Sequence, residues 1–179
     1  MNSNLEAQYF ELEHSRLQLI QNIDGFDQEI LETSPAKDKW SATQILFHLN
    51  TAETLSILYV SKKMKGAATM AKSGIISNLR IRLATMVLSL PFIKFKAPKV
   101  LGDVPSFVDY NFIKSQWADT RKKLKQLLES IPEDDLEKEL FKQPAAGRMN
   151  IYQMLDFMQS HFNRHRRQIY HITTCSLSK

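Results

Sequence analysis

Two histidines near the carboxyl end of the chain have the spacing of a chelating pair. His161 and His165 are four residues apart, which on a helix places both imidazoles on one face with Cβ atoms about 5 to 6 Å apart. Both interrupt an apolar stripe of Met154, Met158 and Ile172 that a packed helix would turn toward its core. The pair is therefore a candidate for metal binding inside the protein.

A third histidine, His48, lies in the same kind of position between Ile45, Leu49 and Ala52. A buried imidazole without a partner is costly, so shared ligation explains three of them in one interior more simply than separate accidents do. The alternative is that each is an ordinary hydrogen-bonded core histidine. Three neutral nitrogen ligands favour zinc or nickel, and an open fourth position is typical of catalytic zinc.

Such a metal can activate either bound water or a bound thiol, and the residues do not choose between them. A di-iron site is not supported because Glu11-Leu12-Glu13-His14 is the single Glu-x-x-His motif. A metalloprotease is not supported because no glutamate follows His161. We interpret His14 and His171 as surface residues, and no residue is assigned a catalytic role.

The elements that must position these histidines are four long helices with apolar periodicity. They are predicted over Leu5 to Ile30, Trp40 to about Met64, Ser106 to Ile131, and Asn150 to Ile172. Reciprocal N-terminal caps are predicted for Ser41 with Gln44, Ser106 with Asp109, and Asn150 with Gln153. No strand pattern competes, so the predicted fold is an all-α four-helix bundle forming a single domain over residues 1–179.

The connection between the second and third long helices is predicted to be long and partly irregular. A short helix over Ile76 to Leu90 is expected to stop at Pro91, and a loop follows to Pro105. Nine lysines and arginines lie between Lys62 and Lys99, where no acidic residue occurs. A solvated surface is the simplest interpretation, and attraction of an anionic cosubstrate, nucleic acid or an acidic membrane is the alternative.

Composition bounds the class of protein. The chain has 179 residues with 43% hydrophobic and 24% charged residues, which is typical of one soluble globular domain. We expect a cytoplasmic protein because the amino terminus lacks a secretory pattern and Cys175 is the single cysteine. No transmembrane segment is expected, and the apolar segment Ile75 to Phe95 favours a homodimer.

Three segments together resemble the DinB/YfiT-like superfamily of metal-binding four-helix bundles. They are Trp40-Ser41-Ala42-Thr43-Gln44-Ile45-Leu46-Phe47-His48-Leu49, the turn from Pro144 to Gly147, and the run from Met154 to Ile169 that contains both later histidines. The resemblance spans nearly the whole chain and implies that His48, His161 and His165 bind one divalent metal ion.

The resemblance also implies an activity. Family members include thiol S-transferases, so we expect the metal to activate a low-molecular-weight thiol that attacks an electrophilic small molecule. One alternative is a metal-hydroxide hydrolase of a small substrate, and another is a non-enzymatic metal-binding stress-response bundle. Nucleic-acid binding is not expected, because no recognition motif accompanies the basic stretch.

Overall fold

The computed structural model describes residues 1–74, 79–81, 83, 102–144 and 146–176, without the side chains of residues 175 and 176. These residues include four long α-helices and one short one whose bounds are described. Their bounds are α1 Ser3–Ile23, α2 Gln28–Glu32, α3 Ala42–Met64, α4 Tyr110–Ser130 and α5 Ile151–Ser176. Single turns of 3₁₀ helix cover Ala67–Thr69 and Glu133–Asp135. The prediction of an all-α four-helix architecture is confirmed.

The prediction that the first helix continues to Ile30 is wrong. α1 ends at Ile23, and after Gly25 the chain starts the short helix α2. Glycine is a poor helix former, and Asp24 is held by α4, since its Oδ1 accepts a 2.6 Å hydrogen bond from the Tyr110 hydroxyl. The new direction of α2 buries Leu31 rather than Ile30.

The helices that carry the three histidines begin at the caps predicted for them. Ser41 and Gln44 form a capping box at α3. The Gln44 backbone N–H donates to the Ser41 Oγ, and the Ser41 backbone N–H donates to the Gln44 Oε1. Asn150 and Gln153 exchange the same pair of bonds at α5, each at 2.9 Å. Each cap satisfies backbone donors that the first turn leaves free.

The predicted cap of the third long helix is wrong. Asp109, not Ser106, is the N-cap of α4, and its Oδ1 accepts from the Phe112 amide at 2.7 Å. Ser106 and Pro105 lie in the preceding loop, where their carbonyls accept from the Gln44 side chain. The helix therefore starts later because the loop is bonded to the amino end of α3.

Side-chain pairs fix the helix directions. α1 and α5 are parallel, because Gln8 bonds to Asp156 and Asn22 bonds to Tyr170. α4 is antiparallel to α1, because Tyr9 bonds to the carbonyl of Arg121 whereas Asp24 near the end of α1 pairs with Lys114.

α3 is parallel to α4 and therefore antiparallel to α5. Gln44 at its start contacts the loop before α4, and Glu53 further along pairs with Arg121. Two consecutive parallel helices need a long return connection, here residues 65–109. This agrees with the predicted connection between the second and third long helices. Of the short helix predicted over residues 76–90, positions 79–81 and 83 are helical and the rest lie outside the described residues.

Sequence reasoning missed a small β-hairpin before α5. β1 Phe141–Gln143 pairs antiparallel with β2 Gly147–Met149. Gly147 has a φ of 86°, and a Cβ there would lie 2.9 Å from the Arg80 guanidinium. The Arg80 Nε in turn donates to the Ala146 carbonyl, so a residue within the long connection is bonded to the turn of the hairpin.

Candidate metal centre

His48 is placed in the interior by α3. It is 5% exposed and has buried neighbours on its own helix in Ile45 and Leu49. The capping box lies two turns before it, so the first turns of the helix that carries His48 are well fixed. The half-buried Trp40 ring lies 5.2 Å from the His48 ring, measured between centroids.

α5 supplies the other two histidines from one face. The His161 and His165 ring centroids are 4.6 Å apart, and His165 is 8% exposed. The Phe157 ring stacks parallel on His161 at 6.2 Å. The i, i+4 spacing thus places both rings side by side, as expected for one helical face.

The three rings meet at one point between α3 and α5. His161 Nε2 lies 3.3 Å from His48 Nε2 and 3.1 Å from His165 Nε2. One ring nitrogen from each histidine lies within 4.8 Å of the others, an arrangement that could hold a metal ion. We call His48, His161 and His165 the histidine cluster. In the part of the chain that is described, it is the one such group of three or more His, Cys, Asp or Glu side chains.

The spacing of the ring nitrogens fits a small divalent ion. Tetrahedral ligands at a Zn–N distance of about 2.0 to 2.1 Å lie about 3.3 to 3.4 Å from one another. The two Nε2–Nε2 separations of 3.3 and 3.1 Å are close to that value. In a neutral ring, His161 Nε2 has either one proton or one lone pair, so it can form a hydrogen bond with only one of the other two Nε2 atoms. A cation at the centre would satisfy all three lone pairs.

Burial keeps the cluster neutral. It lowers the pKa of His48 from 6.5 to about 4. Burial, followed by repulsion from His48 and Arg164, lowers the pKa of His165 to about 3, and the hydrogen bond to Gln168 opposes this. The pKa of His161 is lowered well below its usual value, first by burial and then by His165, His48 and Arg164. Unprotonated nitrogens are what metal ligation requires.

Gln168 is a residue of the centre that sequence reasoning did not single out. Its Oε1 lies 2.7 Å from His165 Nδ1, the ring nitrogen that faces away from the cluster. The signal available in the sequence was its position three residues after His165, where a helix places side chains on neighbouring faces.

Glu53 is near His48 in the chain but is used elsewhere. Its two carboxylate oxygens accept from Arg121 at 2.8 Å each, and one also accepts from the Trp117 indole at 2.9 Å. His14 and His171 are exposed and lie outside the cluster, in agreement with the prediction that both are surface residues. No described helix is long and apolar enough to cross a membrane.

Comparisons with known proteins agree with this architecture. The model of the DinB superfamily matches residues 11–169. A protein of Bacillus subtilis strain 168, described as uncharacterized protein YuaE, is 24% identical over 155 residues, which cover 87% of this chain and 90% of that protein. No solved structure matches.

Proposed function

Since the chain belongs to the DinB superfamily, we propose that it is a single-domain metal-dependent enzyme that transfers a low-molecular-weight thiol to an electrophilic small molecule. His48, His161 and His165 hold one divalent ion, zinc or nickel. The convergence of their Nε2 atoms carries this proposal. When bound, such an ion lowers the pKa of a thiol ligand so that the thiolate nucleophile forms near neutral pH.

The charges around the cluster favour an anionic ligand. Three neutral imidazoles leave the charge of a divalent ion uncompensated, and the positive charge of Arg164 acts on His161 and His165. A thiolate brought to this point gains attraction that a neutral thiol does not. This supports a substrate that binds as an anion.

Aromatic rings beside the cluster suit a small apolar electrophile. Trp40 next to His48 and Phe157 next to His161 are both half-buried, so part of each ring faces solvent. Their apolar surfaces can hold an electrophile and reduce the access of water to the reacting atoms.

Hydrolysis is the weaker candidate because the described residues place no carboxylate base near the cluster. Among the described residues, no aspartate or glutamate is among the groups that shift the pKa of the three histidines. Glu53, five residues after His48, is bonded to Arg121 and Trp117. Water attack is helped by such a base, whereas a thiol that is already ionised does not need one.

The first test is the metal content of untagged protein, measured by elemental mass spectrometry. We expect about one zinc or nickel per chain in the wild type and in His14→Ala, which changes an exposed histidine. We expect none in His48→Ala, His161→Ala and His165→Ala. Unchanged metal content in any of these three variants would contradict the assigned ligands.

The second test is turnover. Zinc-loaded and nickel-loaded protein is incubated with L-cysteine or 2-mercaptoethanol and the electrophile 1-chloro-2,4-dinitrobenzene, and formation of the thioether is followed by absorbance. We expect metal-dependent formation that the His161→Ala variant loses. Stoichiometric metal without turnover for a wider panel of thiols and electrophiles would instead favour the non-enzymatic metal-binding bundle.

A further inference from the structure

The hydrogen bond between His165 and Gln168 determines which nitrogen of His165 faces the cluster. The Gln168 Oε1 atom can only accept, so the 2.7 Å bond places the proton of the neutral ring on Nδ1. The lone pair is then on Nε2, the atom 3.1 Å from His161 Nε2. The opposite tautomer would place two acceptors against each other and point an N–H into the cluster.

His165 differs from its two neighbours in this respect. Within the described part of the chain, the side-chain hydrogen-bond contacts of His48 and His161 are to histidine ring nitrogens alone. His165 therefore contacts Gln168 through Nδ1, outside the cluster, as well as His161 through Nε2, inside the cluster. An outer acceptor raises the basicity of a ligating imidazole and fixes its orientation.

We propose that Gln168 is a positioning residue of the metal centre. It holds His165 in the ligating tautomer and, because its side chain is a neutral amide, it does so without reducing the positive charge of the centre. A carboxylate at this position would also hold the ring but would lower that charge, and a thiolate would bind less readily. This inference rests on the proposed function, because it assigns Gln168 a role toward the same metal.

Two substitutions separate the effect of the hydrogen bond to His165 from the effect of the charge at position 168. Gln168→Leu removes the acceptor, and Gln168→Glu keeps it and adds a negative charge. Arg167→Gln is the control, because it changes the net charge by the same amount at the adjacent exposed residue. Zinc affinity is measured by competition with a chromophoric chelator. Binding of 2-mercaptoethanol to the cobalt-loaded protein is followed by absorbance as a function of pH.

We expect Gln168→Leu to bind zinc about 10- to 100-fold more weakly. We expect Gln168→Glu to bind zinc at least as tightly as the wild type but to require a higher pH for thiol binding. Arg167→Gln should leave both properties unchanged. Wild-type zinc affinity in Gln168→Leu would overturn the proposal, and so would a Gln168→Glu variant that behaves like Gln168→Leu.

A measurement on metal-free protein separates this inference from the proposed function. Long-range ¹H–¹⁵N NMR of His165 should show the proton on Nδ1 in the wild type and a shift toward Nε2 in Gln168→Leu. A proton on Nε2 in the wild type would overturn the role of Gln168 whatever the metal content. An Nδ1 proton in a protein that binds no zinc would show that the proposed function, and with it the role toward the metal, is wrong.

Discussion

Neutral histidines in a buried site couple the stability of the folded chain to pH. The pKa of each ring in the cluster is below 6.5 in the folded state, and burial is the largest cause each time. The unfolded chain binds protons at these residues near pH 6.5, whereas the folded chain does not do so until the pH is far lower. The metal-free folded state therefore loses stability as the pH falls below about 6.5.

This predicts the acid sensitivity of the metal-free protein. Between pH 7 and pH 5 we expect His48 and His165, with folded pKa values of about 4 and about 3, to reduce the free energy of unfolding by about 2 to 4 kcal/mol together. Urea unfolding at both pH values measures this. His48→Gln should remove about a third of the total loss, because three buried histidines contribute to it, and His14→Gln at an exposed position should remove none. An equal loss in the wild type and in His48→Gln would contradict the assignment.

At the scale of the elements, a polar layer crosses the bundle. Arg16 on α1, Glu53 on α3 and Arg121 on α4 are all buried, and each lies between residues of two separate apolar clusters. Arg16 fills the one polar position in the apolar stripe of α1 and pairs with Glu13. Glu53 and Arg121 pair with each other across α3 and α4. The Glu53–Arg121 pair holds α3 and α4 in one register, because a shift along either axis would leave a buried charge unpaired.

The second prediction concerns the pair between α3 and α4. Arg121→Met should lower the free energy of unfolding by about 3 to 5 kcal/mol, since it leaves the Glu53 carboxylate buried without its main partner. The double variant Glu53→Gln with Arg121→Met should recover a large part of this loss. Chemical denaturation measures each variant.

An exposed pair on the same helix provides the control. Lys122 and Asp119 are 2.9 Å apart with largely exposed side chains. Lys122→Met should change the free energy of unfolding by less than about 1 kcal/mol. Similar losses in Lys122→Met and Arg121→Met would contradict the role given to burial.

At the scale of the molecule, the histidine cluster joins helices that are far apart in the chain. His48 and His161 are separated by 113 positions, and they come from antiparallel helices with α4 and the hairpin between them in sequence. A metal at this point would bind the folded state and not the unfolded one, because no preformed site exists in the unfolded chain.

The third prediction is therefore stabilisation by metal. Free zinc at about 100 times its dissociation constant should raise the free energy of unfolding by about 2.7 kcal/mol, and a chelator should reverse the effect. Calorimetric melting of wild type, His14→Ala and His48→Ala measures this. His14→Ala should respond like the wild type and His48→Ala should not respond. Stabilisation of all three by the same amount would show that zinc acts at another place.

The homodimer stays a prediction. It rests on the apolar segment of residues 75–95, of which positions 79–81 and 83 are described. Leu79 and Leu83 in this segment are 61% and 54% exposed, which agrees with an apolar surface there. Light scattering on purified protein measures the mass in solution.

Much of the fold and of the site can be read from local sequence. Helical periodicity placed four long helices, and the caps Ser41 with Gln44 and Asn150 with Gln153 placed the starts of the two that carry histidines. These features depend on residues three or four positions apart, so the local sequence specifies them independently of the other helices. Histidines in core-facing positions of two such helices then predicted which three residues could meet.

Only tertiary structure decided the remaining features, because each depends on groups that are distant in sequence or on a choice between several local partners. The end of α1 follows from the contact of Asp24 with Tyr110 on α4. The Glu53 carboxylate is bonded to Arg121 and Trp117 on α4 and takes no part in the histidine cluster. Gln168 is one of several polar neighbours of His165 in sequence, and only the structure shows that its Oε1 lies 2.7 Å from the His165 Nδ1 atom. The meeting of His161 Nε2 with the Nε2 atoms of His48 and His165 requires α3 and α5 to be packed antiparallel, which periodicity along one chain segment cannot specify.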